Sequence, residues 1–120
     1  MVNKSIMHTI QNNLEMVRGD TLAFNFQLQG LEGGTPTFAF RITRDYEDAP
    51  VAEADSTDGI SIVAEDTVHD ITTFAVGLSP SKTAGLDTGK YYYDLTMYIE
   101  DNVITLMRGT LTLFNEVERG

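Results

Sequence analysis

The sequence predicts an all-β fold, an immunoglobulin-like antiparallel β-sandwich of about seven strands with a one-turn helix before the strand equivalent to strand F. Three observations carry this. Apolar residues recur at every second position in several separate runs. Gly, Pro, Asn and Asp punctuate those runs at short intervals. The octapeptide Leu86-Asp87-Thr88-Gly89-Lys90-Tyr91-Tyr92-Tyr93 sets Asp-x-Gly-x-Tyr at the mouth of the longest run. That arrangement reads as a tyrosine corner, in which a Tyr at the start of strand F hydrogen-bonds back to the preceding connection and the residue two positions on enters the core. Asp87, Gly89 and Tyr91 make the corner on this reading, and Tyr93 is the core residue.

In chain order, residues 1–13 read as a flexible arm, 14–117 as a single β-sandwich domain and 118–120 as a C-terminal tail. Residues 14–17 form a short edge strand that turns at Gly19-Asp20. Leu22, Phe24, Phe26 and Leu28 then share one face of a strand, with Ala23, Asn25 and Gln27 on the other. Phe38, Phe40 and Ile42 point inward from the next. The stretch 45–58 is acidic and carries Pro50, Ser56 and Thr57, a surface loop with a brief strand at 51–54. Ile60 and Ile62 resume the alternation, and Phe74, Val76 and Leu78 point inward from a further strand. Ser79-Pro80 supplies an N-cap and a Pro at the first helical position, and Gly85 ends the helix after one turn. In the long strand Tyr91, Tyr93, Leu95, Met97 and Ile99 alternate with Tyr92, Asp94, Thr96 and Tyr98. Asp101-Asn102 is expected to make the following two-residue turn, where positive φ is needed. In the last strand Ile104 and Leu106 have one parity and Leu111 and Leu113 the other, and a bulge near Arg108-Gly109 reconciles them.

A chain of 120 residues suits one domain with a two-layer core. Its 18 acidic and 8 basic residues leave a net charge of -10. Such a surface repels phosphate backbones and anionic lipids, so neither nucleic acid nor membrane is expected as a partner. With no Cys there is no disulfide framework and no thiolate metal site. The N-terminal residues lack an apolar run, so no signal peptide is expected, and synthesis in a reducing cytoplasm fits.

Arg18-Gly19-Asp20 spells a tripeptide found on integrin-binding loops, but Gly19 in a turn between strands explains it without a ligand. Asp45, Glu47, Asp48, Glu53, Asp55 and Asp58 offer oxygen ligands for Ca²⁺ at no recognised loop spacing, and a solvated acidic surface accounts for them. His8 and His69 have no partner at metal-ligand spacing. Ser79 and Ser81 fit helix capping, so no catalytic residue, cofactor or metal is assigned. Tyr92 and Tyr98, with Thr96 between them, form an outward stripe suited to a contact surface, since Tyr is enriched at interfaces. The edge strands are a second such surface.

The order of parts resembles that of small β-sandwich proteins of tailed phages and prophages, in particular the N-terminal domain of baseplate upper proteins. The matching pieces are Val17-Arg18-Gly19-Asp20-Thr21 leading into Phe24 and Phe26, then Phe38-x-Phe40-x-Ile42, then Asp87-Thr88-Gly89-Lys90-Tyr91-Tyr92-Tyr93-Asp94, and the closing Gly109-Thr110-Leu111-Thr112-Leu113. The resemblance implies a non-enzymatic structural and assembly module of a virion, in tail or baseplate, made in the host bacterial cytoplasm. Its implied partners are other virion proteins and copies of itself, as a homo-oligomer. The alternative function is a carbohydrate- or receptor-binding module at a cell surface, using Tyr92, Tyr98 and the loops.

Overall fold

Alternation along the chain resolves into two sheets packed face to face. The structure is a computed structural model that describes residues 10–31, 34–45 and 49–115. In chain order its elements are β1 (Ile10–Gln11), β2 (Leu14–Val17), β3 (Leu22–Gln29), β4 (Thr37–Thr43), β5 (Pro50–Asp55), β6 (Ile60–Asp66), β7 (Ile71–Leu78), α1 (Pro80–Thr83), β8 (Gly89–Ile99) and β9 (Asn102–Phe114). One sheet runs β1-β9-β8-β4-β5, with β2 continuing the β1 edge along β9, and the other runs β3-β7-β6. Both β1 and β2 lie parallel to β9, while β3–β7, β6–β7, β4–β5, β4–β8 and β8–β9 are antiparallel. This is the all-β sandwich the alternation predicts, with the one-turn helix directly ahead of β8.

The inward residues meet between the sheets. Phe40, Ile42, Leu78, Leu95 and Leu111 are fully buried. Phe26, Phe38 and Phe74 stack and cross with centroids 4.6–5.3 Å apart, and Phe40 lies 5.5 Å from the Tyr93 ring. Such ring pairs add roughly 0.5–1.5 kcal/mol each beyond their buried area. Leu22, Phe24 and Phe26 face inward but are only half-buried, because β3 is the outer strand of its sheet. The chain passes from β5 in one sheet to β6 in the other at Gly59, whose φ is +109°. A side chain there would collide with the Gly77 carbonyl and Ala54, and the Gly59 carbonyl accepts a 2.7 Å hydrogen bond from the Gly77 amide. Glycine at 59 therefore sets how closely the sheets approach.

Four local expectations need correction. Among the described residues the N-terminal edge includes Ile10 and Gln11 and does not start at residue 14, because Ile10 and Gln11 pair with Met107 and Arg108 and the Asn12 amide bonds the Arg108 carbonyl. Residues 1–9, the rest of the expected arm, and 118–120 lie outside the described residues. The bulge falls at Leu106, where the β8–β9 register shifts between Leu95 and Thr96, and not at Arg108-Gly109. Its place follows from Gly109, which must stay opposite Tyr93 to admit the Asn12 carbonyl. The turn occupies Glu100 and Asp101, since Ile99 pairs with Asn102, and the positive φ belongs to Glu100. The helix closes at Ala84, whose amide bonds the Pro80 carbonyl, and Gly85 has no left-handed φ. Ser79 is the N-cap by position but makes no side-chain cap bond.

Candidate functional site

The tyrosine corner forms as the sequence predicts. Gly89, with φ +129°, swings the chain into β8. Two residues on, the Tyr91 hydroxyl donates a 2.7 Å hydrogen bond to the Asp87 carbonyl. Asp87 thus contributes main chain and not its carboxylate. The Arg44 guanidinium covers the Tyr91 ring at 4.8 Å. Tyr93 has a second role that the sequence did not disclose. Its ring is buried, burial pushes its hydroxyl pKa up, and that hydroxyl donates a 2.7 Å bond to the Asn12 carbonyl. A side chain at Gly109 would overlap that carbonyl. Tyr93 and Gly109 together clasp the N-terminal edge strand.

Strand period two carries Tyr92, Asp94, Thr96 and Tyr98 to the outer face of the large sheet. Opposite them β4 presents Thr43, Arg41, Ala39 and Thr37. Arg41 Nη2 donates a 2.6 Å hydrogen bond to the Tyr98 hydroxyl, and its guanidinium lies 6.0 Å from that ring centroid. Asp94 is 4.0 Å and Glu53 3.9 Å from the same guanidinium. Tyr98 first, and then the two carboxylates, favour the charged guanidinium and raise its pKa. Partly exposed pairs of this kind contribute only about 0–1 kcal/mol of stability. Their consequence is positional, since they hold an Arg and a Tyr in one orientation. About 20 Å along the strand, six residues at its rise, Tyr92 lies under Lys90 Nζ at 5.4 Å.

Of the three residues expected to form the contact stripe, Tyr92 and Tyr98 are partly exposed and Thr96 is not. Thr96 has the outward parity but is 5% exposed, flanked by Ala39 and Thr105, and its hydroxyl donates to Asp94 at 3.1 Å. It orients Asp94 and does not reach a partner. Arg41 was missed by sequence reading. Its outward parity on β4 was visible, but the pairing that sets it beside Tyr98 spans 57 residues of chain.

The remaining candidates take structural roles. Gly19 has φ +86°, Arg18 Nη1 donates to the Leu86 carbonyl, and the Gly19 amide donates to Thr83 Oγ1, so the tripeptide ties its turn to the helix. Asp55 Oδ1 accepts from the Thr57 hydroxyl and from the Thr57 and Asp58 amides, while Asp58 meets Lys82 Nζ at 2.9 Å. Those bonds, with the Thr57 hydroxyl foremost, lower the Asp55 pKa. Asp66 accepts from the His69 ring and from the His69 and Val68 amides, with the same effect, the His69 ring first. Glu47, Asp48 and His8 lie outside the described residues. Among the described residues no group of three or more His, Asp or Glu is placed to hold a metal ion.

One concavity stands apart from the outer face. A cleft of about 570 Å³ opens where Leu31, Gly34, Thr35 and Pro36 face the β6–β7 hairpin, and Ile62, Phe74, Glu65, Asp66 and Asp70 also line it. Its volume falls within the range of ligand pockets. Sequence reading placed Ile60 and Ile62 in one alternating run, and the structure separates them, with Ile60 buried and Ile62 55% exposed.

No protein-family model matches this chain, and no curated protein matches it. Among solved structures the fold is similar to part of a family 123 glycoside hydrolase from Clostridium perfringens, described for its hydrolysis of glycolipid glycans. The TM-score is 0.50 at 11% identity, and the match covers 92% of this chain and 24% of that one. At that identity the likeness is one of fold, and this chain spans about a quarter of the other's length.

Proposed function

We propose that this chain is a non-enzymatic assembly module of a phage or prophage virion, in tail or baseplate, that docks to virion proteins and to copies of itself through the outer face of its large sheet. The observation that carries the reading is the Arg41–Tyr98–Asp94–Glu53 array on that face, with Tyr92 beneath Lys90 further along. Tyr and Arg are the residue types that anchor protein interfaces. Side chains already held in one conformation lose less entropy when a partner arrives. The acidic remainder of the surface selects basic partners and resists indiscriminate association. The virion setting rests on the sequence resemblance to the N-terminal domain of baseplate upper proteins.

Light scattering over a concentration series tests it. The reading requires a discrete oligomer, or a stoichiometric complex with a tail protein, that Tyr98→Ala and Tyr92→Ala dissociate while circular dichroism stays unchanged. A monomer at every concentration that captures no tail protein would overturn it. The second reading, a carbohydrate- or receptor-binding module, uses the same two Tyr residues. What favours it is that the glycosidase whose fold this chain partly shares acts on glycolipid glycans. Glycan-array binding lost in Tyr92→Ala would select it over assembly.

A further inference from the structure

We infer that the free edge of β6 is a docking site for an extended, basic segment of another protein, which joins the small sheet as a fourth strand and lays alternate side chains beside Ile62 into the adjoining cleft. This surface is on the other sheet from the Arg41–Tyr98 array and does not depend on it. Among the described residues, the order β3-β7-β6 leaves one side of β6 without a neighbouring strand, and no described segment joins a ladder to its backbone amides and carbonyls along that side. Natural edges are guarded by Lys, Pro, an inward charge or a bulge. Residues 60–64, Ile-Ser-Ile-Val-Ala, contain no charge and no Pro, and the bulge at Val63 is the one such device they carry.

Ile62 and Val63 are adjacent, and both are more than half exposed, at 55% and 54%. Val63 is the extra residue of a bulge and pairs with nothing in β7. The same strand walls the 570 Å³ cleft, so an added strand would find both a backbone ladder and a recess for its side chains. Strand addition draws affinity from the ladder and specificity from such recesses. Charge selects the occupant. Glu65, Asp66 and Asp70 stand at the far end of the edge, and the hydrogen bonds that lower the Asp66 pKa keep it anionic. A Lys or Arg two to four residues beyond the apolar contact would meet that rim. A second copy of this chain would instead bring another net charge of -10 to the edge.

The probe is a fluorescein-labelled octapeptide of alternating Val and Thr ended by Lys, against the same peptide ended by Glu, read by fluorescence anisotropy. The Lys peptide should bind about tenfold or more tightly than the Glu peptide, with the gap closing as salt rises. Val63→Lys guards the edge and Glu65→Lys reverses the rim. Both positions are exposed, so thermal melts should match the parent while Lys-peptide binding falls about tenfold or more in each. Equal binding of the two peptides, binding of neither, or binding undiminished in Val63→Lys would overturn the inference. So would a peptide-free dimer abolished by Val63→Lys, which would make a second copy the occupant.

Discussion

Tyr91 and Tyr93 sit two positions apart on β8, yet their hydroxyls secure different parts of the chain. Tyr91 closes a local loop to the Asp87 carbonyl, so Tyr91→Phe should lower stability by about 1 kcal/mol in urea denaturation, the net worth of one such bond. Both partners were legible because the corner is a local motif. Tyr93 reaches Asn12 across 81 residues, and no sequence spacing announces that. Asp55 carries the pH dependence at this scale. Its folded-state pKa is depressed, so its stabilising contribution is complete above the unfolded value of about 4 and is lost as pH falls through the folded value. Asp55→Asn should therefore shrink the difference in urea midpoint between neutral and strongly acidic pH, while costing some stability at neutrality. An unchanged acid limb would show that the Thr57 hydroxyl and the turn amides do not hold that carboxylate.

Strands were easier to find than their edges and joints. Alternation located β3, β4, β7 and β8 and gave the correct inward face for each. It did not reveal how completely each face is covered, which depends on sheet order. Phe40→Ala should cost about 3–5 kcal/mol, since Phe40 is fully enclosed beneath Phe24 and Tyr93. Phe24→Ala should cost clearly less, because β3 is an outer strand and leaves Phe24 half-buried. Comparison of the two denaturation curves measures that difference directly. Gly109→Ala tests the clasp on β1. The added methyl would displace the Asn12 carbonyl, with a cost of about 1–3 kcal/mol. Faster hydrogen exchange at the Asn12 amide, with β4 and β8 still protected, is the expected pattern. Uniform loss of protection would mean that β1 and the core unfold as one unit.

At the scale of the whole molecule, two sheets present two unlike surfaces, a polar aromatic face on the larger and, on the smaller, an apolar edge with an acidic end. With a net charge of -10 the chain repels its own copies at long range, and salt screens that repulsion. If the outer face mediates self-association, the oligomer seen by light scattering should therefore strengthen between low and moderate salt, whereas the Lys peptide at β6 should weaken. Opposite salt slopes separate the two surfaces in one series of buffers. Local order along the chain specifies the all-β class, the inward residues of the long strands, the one-turn helix and the tyrosine corner. Each of these depends on side-chain alternation or on contacts within a few residues. Tertiary structure decided the parallel docking of the N-terminal edge on β9, the bulge at Leu106, the burial of Thr96, the partnership of Arg41 with Tyr98 and the open cleft beside β6. Each of those requires knowing which strands lie side by side and where one sheet ends before the other, and pairing between distant strands leaves no periodic mark on the chain.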